Sequence, residues 1–182
     1  MKKELTIEEK YEAELIKAEH DHHQPTAGAM TGHILSNLFI ERVKLMQAVL
    51  YAKHRENRAT FKQLEEKEQV YFYTISEQLL DVGEVIPTTI DEFTKYAKFI
   101  EESAKFKYEE DELRIGNLIQ DFMSQNLFIT RAIKLATKEE KFALGQALVE
   151  LLGFNQHTIR ALASDLGKTL QDFKDEDEDD VL

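Results

Sequence analysis

The sequence predicts an all-α fold: a four-helix bundle with one long crossover that contains a short helix, preceded by an N-terminal helical extension. Three observations carry this. The 182 residues include only two prolines and seven glycines and are rich in Ala, Leu, Glu, Lys and Gln, residues that suit helices. Four long stretches repeat their apolar residues at spacings of three and four, one face of a helix. The joins between the stretches are unequal, two tight and one long, and this sets the topology.

The first segment runs from Thr6 to about His22. Thr6 and Glu9 have the spacing of a capping box, in which each side chain satisfies the other residue's backbone N–H. Ile7, Tyr11, Leu15 and Ala18 make a stripe too thin to bury alone, so this helix must lean on another surface. Gln24-Pro25-Thr26-Ala27-Gly28 ends it. The first bundle helix is expected over about Thr31 to Arg55, on Ile34, Leu35, Leu38, Leu45, Val49 and Leu50. The second spans about Ala59 to Val82, on Phe61, Leu64, Tyr71, Phe72, Ile75, Leu79 and Leu80. Gly83 supplies its C-cap and Pro87 prevents continuation. Thr89 and Glu92 form another capping box, opening a short helix to about Ile100. The third helix covers about Lys107 to Ala136, on Leu113, Leu118, Phe122, Ile129 and Ile133. Thr137 and Glu140 read as a capping box opening the fourth, on Leu144, Leu148, Leu151, Ile159, Leu162, Leu166 and Leu170. Each bundle helix would be roughly 35–45 Å long. The piece from Gly83 to about Phe106 is long enough to travel the length of the bundle.

Residues 1–24 are thus an extension helix, 25–172 the bundle, and 173–182 an acidic tail. The net charge is −12, and the run DEDEDD at 175–180 holds half of it. So dense a run repels itself and is expected to be disordered. An acidic body argues against nucleic-acid binding over the whole surface but not through a local appendage. Cysteine is absent, which rules out disulfides and thiolate metal sites and fits a cytoplasmic protein. No apolar run approaches the roughly 20 residues that span a bilayer. MKKELTIEEK lacks the apolar stretch of a secretion signal.

Two sets of side chains could carry metal chemistry. Glu41 lies three residues after Leu38 and four before Leu45, inside the first bundle helix's apolar stripe. Glu68 sits between Leu64 and Tyr71 in the same way. The simpler reading puts both at the stripe's edge, reaching solvent or a salt bridge. The other makes them a metal site inside the bundle, with His157 of the fourth helix as a candidate ligand. The second set is EHDHHQPTAG at 19–28. Glu19 with His23, or His20 with His23, would share one helix face and chelate a divalent ion, and His22 adds a third imidazole. The plain alternative is a polar helix end, where imidazolium suits the C-terminal dipole.

The stretch ISEQLLDVGEVIPTTIDEF at 75–93 resembles the Dps family of miniature ferritins, through Ser76-Glu77, Leu79, Gly83, Thr89, Glu92 and Phe93. With the helix lengths and the single long crossover, the resemblance covers about residues 31–170. It implies a ferritin-like bundle, a hollow dodecamer with 23 symmetry, iron (Fe²⁺/Fe³⁺) oxidised and stored inside, and association with DNA and the nucleoid in a stress response. The family's ferroxidase site uses two histidines and three carboxylates across a dimer interface. Those positions fall here on Met46, Arg58, Lys62, Tyr73 and Glu77, so only Glu77 survives, and two cations would repel Fe²⁺. A gap near Asn57 would bring His54 into play instead. The resemblance also makes Glu139 and Glu140 candidates for an acidic pore, although acids in a helix's first turn need no such reason.

Lys3, Lys10 and Lys17 recur every seven residues on one face of the extension helix, and Lys2 adds a charge. These are the candidate DNA contacts, independent of base sequence. Seven acids lie on the same segment, so one copy would bind weakly; twelve copies would act together. A plain packing role against a neighbouring subunit is the alternative. The expected function is protection of DNA from iron and peroxide, by DNA binding and iron sequestration or oxidation. A DNA-associating shell without ferroxidase activity is the rival, and a bundle with an unrelated partner a third reading.

Overall fold

In a computed structural model, residues 4–173 are described, and the fold is helical throughout. Helix α1 spans Ile7–His23, α2 Ala27–Tyr51, α3 Arg55–Asp81, α4 Ile90–Tyr96, α5 Asp111–Lys138 and α6 Phe142–Asp165, with a 3-10 turn at Ala104–Tyr108 before α5. Among the described residues no helix is long and apolar enough to cross a membrane. Helices α2 and α3 pair as one hairpin and α5 and α6 as another, with α2 packed on α5 and α3 on α6.

The corners fix the direction of each helix. Glu139, at the end of α5, accepts a hydrogen bond from Ala27 N at the start of α2, at 2.8 Å. At the other end Asp111, first residue of α5, accepts from Lys53 N and His54 N in the α2–α3 turn, at 3.0 and 2.9 Å. So α2 and α5 are antiparallel, α3 and α5 run the same way, and residues 82–110 must return along the full bundle. This is the ferritin-like connection.

Local signals act as expected at two of the three capping boxes, Thr6/Glu9 and Thr89/Glu92. The third does not form. Helix α5 continues through Thr137, whose hydroxyl donates to Ile133 O at 2.9 Å, and α6 opens at Phe142 with no side-chain cap. Helices α2 and α3 begin early, α2 at Ala27, capped by Thr26, and α3 at Arg55, whereas α5 begins late, at Asp111. Both α3 and α5 end in the same device. Glu84 N donates to Leu79 O and Gly83 N to Leu80 O; Lys141 N donates to Ala136 O and Glu140 N to Thr137 O. These are Schellman turns, which need a left-handed residue after the cap. Gly83 supplies it at φ 78°, and Glu140 adopts it at φ 58° despite its side chain.

The core divides into two apolar clusters along the bundle axis. One contains Ile34, Leu35, Leu38, Ile75, Leu79, Ile129, Leu144, Leu148 and Leu151, near the start of α2. The other contains Leu45, Phe61, Leu64, Ile115, Leu118, Ile119, Phe122, Ile159 and Leu162, near its end. Phe173 packs into the second. Leu50, Leu80, Leu113 and Leu170, expected in the core stripes, are exposed on this single chain.

Candidate metal centre

Between the two apolar clusters every bundle helix places a polar residue in its buried stripe. Helix α2 contributes Glu41, between Leu38 and Leu45. Helix α3 contributes Glu68, between Leu64 and Ile75. Helix α5 contributes Asp121 and Gln125, and α6 contributes Asn155, between Leu151 and Ile159. Glu41, Glu68 and Asn155 are completely buried, and Gln125 and Asp121 nearly so. Burial overturns the simpler sequence reading of Glu41 and Glu68: neither reaches solvent at the edge of a stripe. Both carboxyl oxygens of each glutamate, and both amide heteroatoms of Gln125 and Asn155, lack a hydrogen-bond partner. Buried polar atoms are normally satisfied, so unpartnered groups on four helices, each lying in sequence between residues of the two apolar clusters, need a cause.

The electrostatics point the same way. Burial pushes the Glu41 carboxyl well up, the charge of Asp121 adds to this, and Lys44 only partly offsets it. Burial also raises Glu68 well above the usual carboxylate range, against the opposing charge of Arg42. Asp121 is raised by burial as well, although it is ion-paired with Lys44. Isolating one carboxylate from water costs several kcal/mol, to order of magnitude. A layer of acids is therefore the least stable part of the core unless protons or a cation neutralise it. Carboxylate and amide oxygens suit hard and borderline divalent cations, so the donor set fits Fe²⁺. Among the described residues no three His, Asp or Glu side chains already form a closed ligand set.

The other candidates do not converge. His157 is exposed beside Arg160, away from the layer. Met46, Arg58, Lys62, Tyr73 and Glu77 are all exposed on α2 and α3; Arg58 donates to Ala52 O at 2.8 Å and Lys62 pairs with Glu65 at 3.0 Å. His54 is exposed and caps α3 through its backbone. On α1 the acid–histidine group splits into two contacts, His23 with Glu19 and His20 with Asp21, each at 3.2 Å. His22 lies edge-on to His23, with ring centroids 5.5 Å apart.

Lys17 is committed rather than free. Its ammonium pairs with Asp21 at 3.0 Å and with Glu84 at 2.7 Å. Glu84 also pairs with Lys141, and Lys141 with Glu139, both at 2.9 Å. The two Schellman turns place Glu84 and Lys141 at equivalent positions, and the chain of charges ties α1 to the body there. Gly28 makes room for it: a Cβ at that position would fall 2.5 Å from Glu84 Cδ. Glu139 belongs to this network, and Glu140 forms the left-handed corner beside it. Lys10 is exposed; Lys2, Lys3 and the acidic run 175–180 lie outside the described residues.

Sequence reasoning missed Asp121, Gln125, Asn155 and Lys44. Asn155 was legible, four residues from both Leu151 and Ile159, but an amide in a stripe carries a weaker signal than a charge.

A helical bundle with this crossover and a polar layer at mid-length is a ferritin-like protein. No family model and no curated protein sequence matches the chain. Solved structures do. DpsB of Lactococcus lactis is 55% identical and superposes with a TM-score of 0.90, over 91% of this chain and 97% of that one. DpsA of the same organism is 57% identical, with a TM-score of 0.89 over 90% and 98%. A Listeria innocua Dps with two histidine-to-glycine substitutions shares the fold at 20% identity, with a TM-score of 0.75 over 79% and 96%. The chain belongs to the Dps family.

Proposed function

We propose that this protein is a miniature ferritin that takes up and oxidises iron within each four-helix bundle, assembles as a dodecameric shell, and associates with DNA. One observation carries the iron reading: unpartnered, fully buried carboxyls of Glu41 and Glu68 meet Asp121 in a layer built from all four helices. Fe²⁺ is the substrate there. Glu41, Glu68 and Asp121 supply charge to hold it, and Gln125 and Asn155 supply neutral oxygens at the same level. The apolar clusters above and below exclude water and strengthen each electrostatic contact. The family's interface positions, with Lys62 and Arg58 in place of ligands, support this relocation. Docking of α1 on the body supports a DNA contact at the particle surface, carried by Lys2, Lys3 and Lys10; DNA would reach Lys17 only by breaking its ion pairs.

Stopped-flow oxidation of Fe²⁺ by O₂ or peroxide tests the reading. Glu41→Gln and Glu68→Gln should each lower the initial rate at least about tenfold, the usual scale for losing a ligand or its support, while Glu77→Ala leaves it near wild type. Loss of oxidation in Glu77→Ala with the glutamine variants unaffected would move the chemistry to the subunit interface.

A further inference from the structure

The polar layer holds two cations of its own. The side chain of Lys44 is 9% exposed and ion-paired with Asp121, whose side chain is 10% exposed. Its ammonium also lies 5.6 Å from the centroid of Phe106, on the 3-10 turn of the crossover. Buried among opposite charge on one side and an aromatic face on the other, Lys44 is anchored within the bundle. Arg42, the second cation, acts on Glu68, and its Nε is buried without a partner.

We propose that Lys44 is a built-in counter-cation that restricts the layer to one divalent ion per chain, occupying with its ammonium the place where a second ion would sit against Asp121. This rests on the reading of the layer as the iron site. Three carboxylates with Lys44 and Arg42 carry a formal charge of about −1 when all are ionised. One divalent ion brings the layer to about +1, and two would bring it to about +3. In an interior closed by apolar clusters an excess of that size is prohibitive. Position agrees with the count. Asp121 is the one layer carboxylate with a cationic side chain hydrogen-bonded to it, whereas both oxygens of Glu41 and of Glu68 remain unpartnered. An incoming ion therefore meets two open carboxyls, and a pair of ions would have to evict a lysine.

Calorimetric titration of the assembled protein with Zn²⁺, backed by the visible spectrum with Co²⁺, counts ions without relying on turnover. Layer ions are those bound by the wild type beyond a Glu41→Gln/Glu68→Gln double variant. Wild type and Lys44→Arg should each show one per chain, and Lys44→Glu, which adds a fourth carboxylate, should show two. Lys44→Gln, close in length and uncharged, should bind the first ion at least about tenfold tighter, because a neighbouring positive charge is gone; it also serves if the glutamate variant does not assemble. Two layer ions in wild type, a single ion in Lys44→Glu, or unchanged affinity in Lys44→Gln would each overturn the role of Lys44 and leave the layer as the iron site. No difference between wild type and the double variant would instead remove the layer itself as a metal site.

Discussion

Glu41 and Glu68 cost stability where they stand. A buried carboxyl without a hydrogen bond is worth less to the fold than an apolar side chain of similar volume. With metal removed by a chelator, Glu68→Leu together with Arg42→Met should raise resistance to denaturant by about 1–4 kcal/mol, the scale seen when a buried ion pair is replaced by apolar groups. Chemical unfolding of wild type and variant in the presence of EDTA measures it; a less stable variant would mean that the layer is satisfied by something other than a metal ion. A second residue stores strain for a different reason. Glu140 occupies a left-handed backbone position at φ 58°. Glu140→Gly should therefore stabilise by up to about 1 kcal/mol, seen as a higher Tm. The sequence flagged Glu41 and Glu68 as charges within apolar stripes, without showing that they are buried, and hid Glu140. A charge inside an apolar stripe is visible at once. Glu140 read as a capping residue because the threonine three positions earlier looked like a helix start, and only the persistence of α5 through Lys138 turns that pair into a helix end.

Among the elements, α1 is tied to the body by charge. Ile7, Tyr11 and Ile16 remain exposed, while Lys17 links Asp21 to Glu84. Burial opposes ionisation of Glu84, but hydrogen bonds and charge from Lys17 and Lys141 outweigh it and hold the carboxyl below the usual range. Asp21 is lowered in the same sense by Lys17 and His20 against its own burial. A depressed carboxylate contributes stability above its unfolded value and loses it as pH falls through the folded one. Docking of α1 should therefore be firm at neutral pH and weaken as pH drops below about 4.5. High salt should weaken it too. Proteolysis in the Gln24–Thr26 link should accelerate under both conditions, and Glu84→Gln should show the faster cleavage already at neutral pH. Equal cleavage of wild type and variant would mean that contacts other than this network hold the helix. Deleting residues 1–23 should leave the bundle folded, since its stripes start in α2, and should weaken DNA retardation in a gel-shift assay. The helix itself was legible from Thr6 and Glu9, four residues of sequence. Its anchor was not, because Lys17 and Glu84 are 67 positions apart and pairing over that distance depends on the fold.

On the scale of the whole molecule, apolar side chains that face outward on one chain mark where further chains belong. Met46, Leu50 and Tyr51 on α2, with Val70, Tyr73 and Leu80 on α3, are all exposed. In the proposed dodecamer this hairpin face is the expected subunit contact. Light scattering should give a particle of about twelve chains of 21.1 kDa, and Leu50→Asp with Tyr73→Asp should reduce it to smaller species while helical circular dichroism is retained. The bundle and its crossover could be read from spacing and from turn residues, since those are local. Which buried polar side chains face one another could not, because that depends on how far four helices slide past one another.

That level divides the molecule into two dry halves joined by a wet-looking seam. Most helical bundles loosen from their ends inward. If the polar layer is the proposed iron site, this one has its weakest joint in the middle, and the bound ion would act there as a rivet. Without metal the halves should yield separately, and thermal melting should broaden or split as each apolar cluster gives way at its own temperature. With a divalent ion seated, both halves should melt as one. A single sharp transition that ignores EDTA would show that the seam is already closed.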